Sequence, residues 1–340
     1  MPIPPIVSPA AGPPVAQRAG VTAPQASAAS TPVADAAPPP AQVSAVDGAM
    51  LAAALRQGGL AQLMADLTQA VAAPDMPQPV QAAAAQVLAL RTQTEPPPSA
   101  LDLKLALAQS GLFLEADIAA GLPATDLKAA LRVFSQALKT WLASTPPSGD
   151  AAPATPPAPP PPYRGAPTSA QPPALPALPQ DAKPEALARG LLQQTGAALA
   201  RQELLQIASL PEPEEGSAWM YEMPFVTPQG TAVAQFQISR DRRGRAGGGE
   251  DQDPQGMWRV GFSLDIEPIG PVHAQAILSG SRAGVTLWAE REASAQSLRR
   301  QEGSLAKALV AAGLDSDVAV YTGAPRRPPP KPGRFLDRAS

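Results

Sequence analysis

The chain has 340 residues, 45 of them proline, with thirteen aromatics, no cysteine and a formal charge of −3. Missing cysteine removes disulfides, thiolate metal sites and thiol nucleophiles together, and the charge gives no overall attraction to nucleic acid or an anionic membrane. The proline content implies that much of the length lies outside any packed domain.

Residues 1–48 are low in complexity, rich in Pro, Ala, Ser and Val, and are expected to be disordered. The first charge is Arg18, and Pro2, Pro4, Pro5 and Pro9 interrupt any apolar run, so no cleavable signal peptide is expected. No stretch approaches the roughly 18 apolar residues of a membrane span.

Residues 49–144 read as a weakly folded helical region. Leu51, Leu55, Leu63 and Leu67 suggest a helix from Ala49 to Val71, weakened at Gly58 and Gly59. Val80 to Arg91 suggests another. From Leu101 to Trp141 the pattern is stronger. Thr125 or Asp126 can cap a helix whose stripe is Leu127, Leu131, Phe134, Leu138 and Trp141. Residues 145–182 form a proline-rich linker, expected to be mobile and semi-extended.

Residues 183–324 read as an α+β domain of helix, mostly antiparallel sheet, helix and strand. The first helix starts near Pro184, with Leu187, Leu191, Leu192, Leu199, Leu204 and Ile207 on its apolar side and a break at Thr195–Gly196. Trp219–Val226 and Ala232–Ile238 flank the turn at 227–230 as a hairpin. Trp258, Val260, Phe262, Leu264 and Ile266 alternate with polar residues and glycine, the period of a half-buried strand. Pro268 to Pro271 break that strand. Runs at 272–278 and 285–290 complete a meander. Leu298, Leu305 and Leu309 mark a helix ending before Gly313, and Leu305 and Leu309 are expected against Val260, Phe262 and Leu264. Val318–Tyr321 returns as a last strand. Residues 325–340 are a basic tail, expected to be disordered.

Little in this sequence suggests catalysis. The single histidine, His273, reads as a solvent-facing strand residue. Asp265 and Glu267 share a strand face and read as a solvated edge. Gly247–Gly249 lacks the strand, helix and Lys of a phosphate loop. Arg240, Arg242, Arg243 and Arg245 lie among acids and read as a self-neutralised loop. No catalytic, cofactor-binding or metal-binding residue is assigned, and an enzyme is not expected.

The run WRVGFSLDIEPIGPVHAQAILSGSRAGVTLWAE, a Leu-patterned helix, then AAGLDSDVAVYTG resembles the C-terminal domain of flagellar hook-length control proteins. Ile269 stands where that family has Leu. SGLFLE and DLKAAL further upstream also resemble words of this family. The resemblance implies an exported molecular ruler whose C-terminal domain switches type III export from hook to filament substrates. It implies a protein made in the cytoplasm and exported through the flagellar apparatus. The implied partners are the export-gate switch protein and the hook and hook-cap subunits, with no nucleic acid, cofactor or small-molecule substrate. Fully extended, residues 1–182 reach roughly 600 Å at about 3.3 Å each, long enough for a ruler. The alternative is a generic adaptor, with proline segments that bind aromatic-lined grooves and an α/β domain that binds protein.

Overall fold

The computed structural model describes residues 45–72, 75–145, 157–179, 182–211, 217–241 and 256–326. All lie within one compact unit, Val43–Ser340. The expectations for 1–44, 146–156, Gly247–Gly249 and 327–340 fall outside the described residues.

A seven-stranded sheet in the order β1 to β7 is the spine of the fold. Its strands are β1 (Thr92–Gln93), β2 (Ser217–Thr227), β3 (Gly230–Asp241), β4 (Met257–Ile266), β5 (Gly270–Ser279), β6 (Arg282–Ala289) and β7 (Asp315–Thr322). β2 to β6 form an antiparallel meander, while β1 joins β2 and β7 joins β6 in parallel. The fold is therefore α+β. The two-residue β1 is too short to carry a readable period.

Helix α8 (Glu292–Ala311) is the crossover between β6 and β7. A parallel neighbour needs such a connection, and the helix then lies over the two strands it joins. This moves Leu305 and Leu309 from their expected place against Val260, Phe262 and Leu264 of β4. Both are half-buried, and α8 packs chiefly on β7 and β6. The helix ends as expected: Gly313 takes φ 82°, Leu314 N donates to Leu309 O, and Gly313 N donates to Val310 O. These two bonds make a Schellman motif.

On the opposite face β2 and β3 pack against two helices that precede them in the chain, at Leu60–Val71 and Pro184–Ala208. Residues 49–71 form two helices, α1 (Ala45–Arg56) and α2 (Leu60–Val71). They part at Gly58, where a Cβ would lie 2.9 Å from the Ala197 Cβ. Residues 45–48, expected to be disordered, begin α1. α3 (Gln78–Ala89), α4 (Ala100–Ala108), α5 (Leu114–Ala119) and α6 (Leu127–Ser144) follow. Asp126 caps α6 by accepting from Ala129 N at 2.8 Å. α7 (Pro184–Ala208) runs 25 residues unbroken through Thr195–Gly196. Its helical bonds continue there, and Gly196 alone costs about 1 kcal/mol relative to Ala, too little to break a buried helix.

α7 ties the halves of the chain together. Leu187 and Leu191 share one buried cluster with Leu63, Leu67, Val87, Leu131, Phe134 and Leu138, and Val233 of β3 joins it. The helices of 49–144 thus share a core with the residues after 183. The segment 157–179, read as a mobile linker, is a strap across this core. Its regular secondary structure is a single bridge, in which Gln171 exchanges both backbone bonds with Val233 at 2.9 and 2.8 Å. The cause is geometric: β4 pairs with β3 from Gln235 onward, so the edge at Val233 needs another partner. Farther along, buried Asp66 accepts from Ala177 N (2.7 Å) and Leu178 N (2.9 Å).

Candidate partner-binding surface

The β4–β5 connection is a short exposed turn hydrogen-bonded to the start of α8. Glu267–Pro268 is cis, and Gly270 takes φ 74°. Arg291 precedes the first turn of α8 and reaches into the connection. It donates to Glu267 Oε2 at 2.6 Å, to Glu267 Oε1 at 2.5 Å and to Pro268 O at 3.0 Å. A fork-on-fork pair of this kind fixes orientation as well as distance. Its hydrogen bonds from Arg291 hold the Glu267 carboxyl below the usual carboxylate range. Ser294 Oγ donates to Ile269 O at 2.6 Å. A Cβ on Gly270 would collide with the Arg291 guanidinium, so the turn needs glycine for space as well as for its backbone angle. The clamp leaves the Ile269 side chain 50% exposed at the tip.

Arg291 was missed in the sequence. A signal existed, because a cation at a helix N-terminus opposes the macrodipole and calls for a compensating acid. Glu267 is that acid, rather than part of a free solvated pair. Asp265 is half-buried on the strand, and burial first, then the Glu267 charge, pushes its carboxyl up.

Beside the turn lies the apolar face of the sheet. Tyr221, Phe236, Phe262, Ala274, Leu287 and Val320 stand in register across six strands. The Phe236 ring sits 5.1 Å from Tyr221 and 5.4 Å from Phe262, centroid to centroid. Trp258 stacks on Trp219, and the Arg240 guanidinium lies 5.2 Å from its ring centroid. α4 covers the β2 end of this face through Ala106 and Leu107, and α8 covers the β7 end. Between them Phe236, Ile238, Val260 and Phe262 are half-buried.

His273 does not face solvent freely. Its ring lies between Ser263 Oγ (2.6 Å, Nδ1) and Glu290 Oε1 (3.1 Å, Nε2), with the side chain 15% exposed. A Ser–His–Glu line suggests a nucleophile, but Ser263 is fully buried and donates to Thr168 O at 2.9 Å. A nucleophile must be open to its substrate; this one is covered by Thr168 and fastens the strap to the sheet. Of the arginine cluster, Arg240 is described and lies on Trp258, while Arg242, Arg243 and Arg245 fall outside the described residues. Among the described residues no group of His, Asp or Glu could hold a metal ion, and no helix is long and apolar enough to cross a membrane.

Residues 246–329 match the family model described as flagellar hook-length control protein FliK. No curated protein and no solved structure matches the chain. The matched span holds β4, β5, β6, α8 and β7 whole, together with the clamped turn. The C-terminal region of this chain carries the domain of the flagellar hook-length control family.

Proposed function

We propose that the chain is a hook-length control protein that measures the growing hook and then switches the flagellar type III apparatus from hook to filament substrates. One observation carries the reading: the match at 246–329 covers complete elements of the sheet and the turn they support. The action is binding rather than catalysis. The chain is made in the cytoplasm and exported through the flagellar apparatus, where residues before the domain meet hook and hook-cap subunits. The C-terminal domain meets the export-gate switch protein.

Ile269 is the contact we assign to the switch. It is a large apolar side chain, half exposed, on a turn whose backbone Arg291 and Ser294 already hold. Such a contact loses little conformational freedom on binding. Export requires the helical layer to unfold, and the absence of cysteine leaves no disulfide to reduce first.

A deletion strain tests the reading by electron microscopy. Removal of residues 256–323 should give long hooks without filaments. Normal hooks and motility would favour the adaptor reading instead. Ile269→Asp in the full chain should copy the deletion while leaving the thermal melt unchanged.

A further inference from the structure

The strap is held by donors that read backbone carbonyls. Gln57 Nε2 donates to Pro159 O at 2.6 Å, and Arg201 Nη1 donates to Pro160 O at 3.0 Å. Both donors are set in advance. Arg201 is 1% exposed and donates from Nε to Glu222 Oε1 at 2.7 Å and from Nη1 to Gln57 Oε1 at 2.8 Å. Proline lacks an N–H, so a proline run offers carbonyls alone, in an extended form with no internal hydrogen bonds. A surface that presents donors to successive carbonyls suits that chemistry whatever the neighbouring side chains are.

Shape agrees with this. The floor of the groove is Gly58 and Gly59, and a Cβ on Gly59 would lie 3.1 Å from Gln171 Oε1 and 3.5 Å from Pro159 Cδ. Gly59 has φ −71° and ψ 133°, which any residue adopts, so its missing side chain serves space and not backbone angle. Contact with the strap is incomplete. A cavity of about 290 Å³ remains between Pro157–Pro160, Ser169–Pro172 and the helices beneath, and Pro160 is exposed.

We propose that this groove is a binding site for an extended, proline-rich chain, occupied in cis by residues 157–162 and open to such a chain supplied in trans. The cis segment masks it at high effective concentration, because its downstream anchors at Gln171 and Leu178 keep it close. The proposal is independent of hook-length control.

The test uses the full chain with Pro157–Pro162 replaced by glycine and serine at equal length. A fluorescent peptide of residues 155–165 is titrated by anisotropy against this chain and against the native one. The replaced chain should bind at least about tenfold more tightly, since its cis competitor is gone. Gly59→Leu in the replaced chain should undo that gain, and a peptide with its prolines changed to serine should not bind. Equal affinity for both chains, or binding indifferent to Gly59→Leu, overturns the proposal. Should the replaced chain fail to melt cooperatively, Gly59→Leu in the native chain decides. Tryptic cleavage after Arg164 should then quicken about tenfold, and an unchanged rate overturns the proposal equally.

Discussion

Arg201 of α7 donates from Nε to Glu222 Oε1 of β2 across 2.7 Å, with both side chains 1% exposed. The pair joins the helical layer to the sheet. Removing one partner leaves the other charge buried and unpaired, so Arg201→Met and Glu222→Gln should each cost about 3–5 kcal/mol in urea unfolding. The double change Arg201→Met with Glu222→Met should cost far less than the sum, because Arg201 Nη2 and Glu222 Oε2 already lack partners among the described residues. Single variants within about 0.5 kcal/mol of native would contradict a buried pair.

The leucines separate two kinds of burial. Leu131 is fully buried in the cluster shared by α2, α3, α6 and α7, and Leu131→Ala should cost about 2–5 kcal/mol. Leu305 is half-buried under α8, so Leu305→Ala should cost clearly less in the same urea titration. A larger loss at Leu305 would return α8 to the expected position over β4.

These leucines also show what was legible. Alternation at 258–266, 272–278 and 285–290 located β4, β5 and β6, and the Gly313 cap located the end of α8, because each depends on local backbone chemistry. The strap was not legible. Its attachment runs through single contacts such as Gln57 to Pro159 O and Asp66 to Leu178 N, and these leave no periodic pattern. α7 was read as a helix but not as the centre of the fold. Its buried residues include Ala188, Ala198, Ala200 and Gly190, which permit close packing but carry little hydrophobic signal. The Arg291 clamp joins residues 24 apart through a turn, beyond the reach of helix or strand periods.

Tyr221 gives a pH test. It is 5% exposed, and burial pushes its phenol from 10.0 up to about 12. The folded state therefore keeps a proton that the unfolded chain loses above pH 10. This stability is complete below pH 10 and falls as the pH rises towards 12, by about 2–3 kcal/mol in all. Denaturant titrations at pH 9 and pH 12 should show a loss that is smaller by that amount in Tyr221→Phe. An equal loss in both proteins would place the tyrosine in water.

A cut in the chain tests the shared core. A protease site inserted after Asp150 divides the chain outside the described residues. Both pieces contribute to one buried cluster, through Leu131 and Phe134 on one side and Leu187 and Leu191 on the other. They should co-elute in gel filtration and separate in urea. Separate elution without denaturant would restore two independent domains.

Hook length against insert length is the most direct test of the account. Proline-rich, charge-poor inserts placed within residues 146–156 avoid every described element and extend at about 3.1 Å per residue. Hooks measured by electron microscopy should lengthen in proportion to the insert, and filaments should still form. With Ile269→Asp added, the same strains should make long hooks without filaments. Hooks of constant length across the insertion series would contradict a ruler, and filaments on the Ile269→Asp strains would contradict the switch.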